Sequence, residues 1–218
     1  MSEQTRRLVL MSGLAAAAAG PALAQAGQKS VEVAKAFPYL ENYLKLAPAE
    51  RSRFTVAYYL ATEGKPAAGM KGWIAHGGAR TPVTVRADGR VLPLPTLAQI
   101  RGNAMLHLDA PASAKFNVSM TVEPIVRPAA EMPAADLAQS IDQAARGAKR
   151  MAGLLGVAVP KFDRVVFRGV ASGTAVLAGG RTAALPVVKG TPVFEPAKLK
   201  TAQTLRFPRA PSQVLIGA

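Results

Sequence analysis

Phe116-Asn117-Val118-Ser119-Met120-Thr121-Val122-Glu123 alternates apolar and polar side chains over its whole length. Successive side chains of a strand point to opposite faces, so this run predicts a strand in a sheet with one wet face. Phe54, Val56, Tyr58 and Leu60 alternate with Arg53, Thr55, Ala57 and Tyr59 in the same way. Further short strands are expected at Met70 to Ala75, Thr81 to Arg86, Asn103 to Leu108, Phe162 to Arg168 and Gly173 to Ala178. Three more are expected at Thr182 to Val188, Ala202 to Arg206 and Gln213 to Ile216. Gly and Pro punctuate the gaps, and Ala87-Asp88-Gly89 reads as a tight hairpin turn.

Two helices interrupt this pattern. Pro38 to Leu46 is expected to be short, with Pro at its start, where a missing N–H costs nothing. Ala134 to Leu155 is longer: Leu137, Ile141, Ala144, Ala148, Met151 and Leu155 recur at helical spacing and define one apolar face. Asp136 falls in its first turn and Lys149 and Arg150 near its end, as the helix dipole favours. Gly153 and Gly156 close it.

The two halves of the chain share more than this order. Gly78-Ala79-Arg80-Thr81, followed by Val83, Val85, Gly89 and Pro95, matches Gly179-Gly180-Arg181-Thr182, followed by Ala184, Pro186, Gly190 and Pro196. Ala104, Leu106 and Leu108 then align with Leu205, Phe207 and Arg209, and Ala110-Pro111 with Ala210-Pro211. The expected fold class is therefore α+β, predominantly antiparallel β-sheet and internally duplicated, with one longer amphipathic helix at 134–155. Residues 25–123 form one half and 134–218 the other. Pro-rich 124–133 is either a linker or an ordered crossover.

Residues 1–24 read as a cleavable export signal: a start ending in Arg6-Arg7, an Ala-rich apolar run Leu8 to Ala19, and small residues at Ala22 and Ala24. Thr5-Arg6-Arg7-Leu8-Val9-Leu10 resembles the twin-arginine export motif, with the general secretory route as the alternative. The apolar run is shorter than the roughly 20 residues that span a bilayer, and no later run comes closer. The mature chain is expected to begin near Gln25 and to work in the periplasm or outside the cell, with no transmembrane segment.

Of 218 residues, 27 are basic and 13 acidic. Removing Arg6, Arg7 and Glu3 with the signal leaves 25 and 12, a net +13. Such a charge favours anionic partners: an envelope polymer, a lipid head group or an envelope protein. No nucleic acid is expected, because the cations are scattered without interleaved aromatics. The absence of Cys excludes thiolate metal sites and a Cys nucleophile, and no cofactor motif is present.

Candidate site residues are few. His107 and Asp109 share a strand face and, with His76, form a weak metal or acid–base candidate; the alternative is a solvated strand edge. Trp73 and Tyr59, with Lys71 and Arg53 beside them, can stack on sugar rings and pair with anions, or simply pack as core. Arg80 and Arg181, at matching points of the repeat, can grip one anion between the halves, or stabilise a repeated turn. Ser172 lacks a nucleophile elbow, and His76-Gly77-Gly78 lacks the serine that an esterase oxyanion loop serves. Glu63, Asp88, Asp109, Glu123 and Asp163 are the carboxylates from which a glycosidase pair would have to come. The expected function is non-catalytic binding or support of an anionic envelope component. The alternatives are a hydrolase of envelope carbohydrate with a cleft between the halves, and a structural subunit that pairs by its sheet edges.

Overall fold

The computed structural model describes residues 28–153 and 161–217. The expected export signal lies outside them, as do Leu155 and Gly156. In chain order the elements are β1 (Gln28–Glu32), α1 (Val33–Ala36), α2 (Leu40–Lys45), β2 (Phe54–Thr62), β3 (Lys65–Pro66), β4 (Lys71–His76), β5 (Ala79–Val85) and β6 (Val91–Leu92). Next come α3 (Leu97–Arg101), β7 (Met105–Pro111), β8 (Asn117–Pro124), β9 (Glu131–Pro133), α4 (Ala134–Gly153), β10 (Arg164–Arg168), β11 (Thr174–Leu177) and β12 (Thr182–Ala184). β13 (Val187–Val188), β14 (Thr191–Phe194), β15 (Ala202–Arg206) and β16 (Gln213–Gly217) complete the chain. The described residues form an antiparallel, β-rich α+β fold, 43% strand against 22% helix.

Three sheets result, ordered β1-β7-β4-β5-β6, β13-β14-β10-β16-β8-β2-β3 and β12-β11-β15-β9. The neighbours β1-β7-β4-β5 recur as β9-β15-β11-β12, and the hairpin-like pair β2·β8 recurs as β10·β16. β8 and β16 meet at the middle of the seven-stranded sheet through Val122 and Ile216. The register differs from the sequence alignment at β15. Ile74 faces Leu106 while Ala175 faces Leu205, so Leu106 corresponds to Leu205 rather than Phe207.

The amphipathic stripe of α4 drives the packing. Leu137, Ile141 and Ala144 are buried in one continuous core with Phe54, Val56, Val165 and Phe167. Each such side chain contributes about 1.5–3 kcal/mol by leaving water. Phe54 reaches the backbone of α4 at Gly147. The opposite face of the seven-stranded sheet is left free of helix α4 and carries the polar residues of β2, β8, β10 and β16.

Several expectations are corrected. The helix expected over Pro38 to Leu46 is α2 and starts at Leu40, after Tyr39 adopts a left-handed φ of 65°, because the Pro38 carbonyl accepts the Tyr58 hydroxyl instead of starting a helical turn. Thr182 to Val188 is two strands in two sheets, broken at Leu185-Pro186, where Leu185 is buried and Pro186 has no N–H to donate. Residues 124–133 need no such correction: of the two readings, linker or ordered crossover, the contacts fit the crossover, with the Ile125 N–H on the Arg53 carbonyl and β9 paired to β15.

The opening strand is also not simply dry on one side and wet on the other. Val118 and Met120 are 36% and 37% exposed, whereas Glu123 is only 7% exposed. Val118 lies opposite Leu60, about 20 Å along the strand from the Phe54 end that α4 covers. Glu123 is covered by the β5–β6 hairpin, whose tip folds onto β2. There Gly89 has φ 89° and a Cβ would come 2.9 Å from the Leu60 carbonyl oxygen, so no larger residue fits this turn.

Candidate functional site

The polar side chains of four adjacent strands, β2, β8, β16 and β10, form the floor of a cleft of about 1060 Å³. Strand alternation puts Tyr59 of β2, Glu123 of β8, Gln213 of β16 and Arg168 of β10 on this one face. Arg90 comes from the hairpin beyond β2, held there by a bridge between Tyr59 and Arg90. Arg86 and Asp88 of that hairpin, and Ile125 and Arg127 of the crossover, build the walls.

Glu123 organises the floor. Its Oε2 accepts from Arg90 Nη1 at 2.8 Å. Its Oε1 accepts from the Tyr59 hydroxyl at 2.6 Å, the Thr121 hydroxyl at 3.1 Å and Gln213 Nε2 at 3.2 Å. Gln213 Nε2 also donates to the Tyr59 oxygen at 2.7 Å, and Gln213 Oε1 accepts from Arg168 Nη1 at 3.2 Å. A continuous chain therefore runs Arg90–Glu123–Gln213–Arg168 across the strands. A buried carboxylate persists only when paired and fully hydrogen-bonded, which this one is. Burial, and then the neighbouring Glu123 charge, push the Tyr59 phenol up to about 12. Tyr59 therefore stays a neutral donor throughout the physiological range.

The cleft is electropositive. Four arginines, Arg86, Arg90, Arg127 and Arg168, line it with two carboxylates, Glu123 and Asp88. Among the described residues Arg90 alone of the four is ion-paired, to Glu123. Asp88 Oδ1 accepts the Arg90 backbone N–H within its own turn. Three guanidiniums without a carboxylate partner can each fork onto a phosphate or carboxylate.

The residues singled out from sequence are dispersed. Tyr59 belongs to the cleft, but Trp73 lies in the five-stranded sheet. Trp73 stacks on His107, with ring centroids 5.2 Å apart, and Arg80 lies 5.0 Å over the Trp73 ring. A neighbour occupies each face open to a sugar. Lys71 shares that exposed face, two residues along β4. Arg53 is elsewhere, 3.6 Å from Asp136 in a smaller cavity of about 370 Å³.

Arg80 and Arg181 are not a matched pair. The first hairpin turns on Gly77-Gly78 between His76 and Ala79; the second turns on three residues between Leu177 and Arg181. Arg80 sits within β5 opposite Ala75, whereas Arg181 precedes β12 and its carbonyl accepts the Leu177 N–H in a different sheet.

His76 and His107 also diverge. Trp73 faces His107 across the strands, so His76, three residues on, belongs to the other face, its ring against Gly102. Asp109 accepts from Gln28 at 3.2 Å. Among the described residues no three His, Asp or Glu side chains converge on a metal position. Ser172 is exposed in the loop before β11, Glu63 holds a turn at φ 50°, and Asp163 pairs with Arg164 at 2.9 Å, which lowers its carboxyl below the usual range.

Sequence reasoning missed Arg90, Arg168, Gln213, Arg86 and Arg127. The side-chain contacts of Arg90, Arg168 and Gln213 join residues 33 to 154 positions apart, and nothing local marks any of the five. The one available signal was Glu123 at the polar end of an alternating strand. No family model, curated protein or solved structure matches the chain.

Proposed function

We propose that this chain is an exported, non-catalytic protein that binds an anionic component of the cell envelope in the arginine-lined cleft. The observation that carries this reading is the cleft itself: four arginines against two carboxylates, each carboxylate already engaged. Glu123, with both oxygens taken, makes a poor proton donor or nucleophile and a good scaffold for Arg90. The twin-arginine-like residues 1–24 supply the route to the periplasm. Among the described residues no helix is long and apolar enough to cross a membrane.

The two halves are read as a duplicated unit. The recurring strand orders support this, and the cleft straddles the β8–β16 seam between them.

Co-sedimentation with isolated cell wall and with anionic vesicles across a salt series tests the function. Binding should weaken steadily as salt rises, because exposed charges act within a Debye length of about 8 Å at physiological ionic strength. Attraction indifferent to salt, or equal attraction to neutral vesicles, would refute the electrostatic basis.

A further inference from the structure

The arrangement of charge across the cleft narrows the class of ligand, given the anion-binding reading above. Arg90 and Arg168 do not converge on one point. Arg90 enters from beyond β2 and is held on Glu123; Arg168 rises from β10 and is held on Gln213. β2 and β10 are three strand spacings apart, about 14 Å. Between the two guanidiniums lie hydroxyls and an amide: Tyr59, Ser119, Thr121 and Gln213. Beside them the exposed Pro66 and Ile125 offer apolar surface.

A lone phosphate would use one guanidinium and leave the other arginines of the cleft unmet. A bilayer surface would meet the exposed Arg86 and Arg127 of the walls before Arg90, whose side chain is 26% exposed against the floor. A chain with acid groups at intervals and hydroxylated rings between them matches every part. Its acids meet the separated arginines, its hydroxyls meet the polar floor, and its C–H faces meet Pro66 and Ile125. We infer that the cleft takes an acidic polysaccharide, with carboxylate groups spaced along the chain held by Arg90 on one side and Arg168 on the other.

The test compares polygalacturonate, neutral dextran and mixed phosphatidylglycerol–phosphatidylcholine vesicles as probes of the full chain. Arg168→Gln and Arg127→Gln remove cleft cations, and Lys149→Gln removes the same charge from the exposed side of α4. Polygalacturonate should bind and dextran should not. Arg168→Gln should weaken polygalacturonate binding about tenfold, the loss of one charge-assisted contact, and Lys149→Gln less than twofold. Arg127→Gln should weaken it in the same direction, so one poorly folding variant does not remove the comparison. Vesicle binding without polygalacturonate binding would overturn the polysaccharide assignment and leave the anion-binding function standing. Failure of both acidic probes would overturn the two together. Binding that ignores both arginine substitutions, or that extends equally to dextran, would also refute the inference.

Discussion

Replacing Glu123 by Gln probes the centre of the site with almost no change of shape. The Glu123 side chain is 10% exposed and that of its partner Arg90 26%. A glutamine oxygen can keep the contacts from Tyr59, Thr121 and Gln213. The second oxygen, 2.8 Å from Arg90 Nη1, becomes an NH₂ that faces another donor. One charge-assisted hydrogen bond is lost and Arg90 turns toward solvent, a cost of about 2 kcal/mol. For a chain of this size that lowers Tm by about 4–8 °C. The reverse truncation, Arg90→Gln, strands a buried carboxylate and should cost about 3 kcal/mol, the low end for a buried pair because Arg90 is partly solvated. The double variant removes both charges and should be scarcely worse than Arg90→Gln alone. Urea unfolding of the four proteins at neutral pH should then give a coupling energy of about 2 kcal/mol. Additivity within about 0.5 kcal/mol would show that the pair is not the organising contact of the cleft.

Other expectations follow from single positions. Tyr59 keeps its proton in the folded state to about 12, while an unfolded tyrosine loses it near 10. Between those values the unfolded chain binds fewer protons, so stability falls as pH rises through this window and is unaffected by Tyr59 below it. Alkaline unfolding of Tyr59→Phe should accordingly be less steep there, and coincident curves would contradict the account. Gly72→Ala puts a Cβ 2.2 Å from the His107 backbone oxygen on the neighbouring strand. It should cost about 3 kcal/mol in denaturant unfolding, and a stability equal to the parent would show that β4 and β7 part easily. Arg80→Gln removes the cation from the single tryptophan, Trp73. It should cost less than about 1 kcal/mol yet shift the intrinsic fluorescence; unchanged emission would mean that the guanidinium does not rest on the ring in solution.

The parts of the fold that were legible in the sequence are those governed by local periodicity. The alternation in β2 and β8, the stripe of α4 from Leu137 to Ala148, and the Ala87-Asp88-Gly89 turn each follow from neighbours within a few residues. The strands that escaped notice, β1, β3, β6, β9 and β14, are five residues or fewer, too short for alternation to declare itself. The helix α3 is also five residues, and its Thr96 cap with Gln99 is the only signal it carries. Misreading Thr182 to Val188 as one strand came from the same source. Its side chains suit a strand throughout, and the break at Leu185-Pro186 is imposed by two sheets that each claim one end.

The site followed a different logic. Sequence alone determined an antiparallel sheet with a polar side, a basic chain and one long helix on the apolar side, because each depends on composition or on a period of two to four residues. Which polar residues share a face across strands depends on register, and a single added residue, as between the Gly77-Gly78 turn and its three-residue counterpart, reverses the face. Only the tertiary structure could therefore part Arg80 from Arg181 and His76 from His107. It also brought Arg90, Glu123, Gln213 and Arg168, scattered over both halves of the chain, into one hydrogen-bonded row, since chain closure over such distances leaves no local trace.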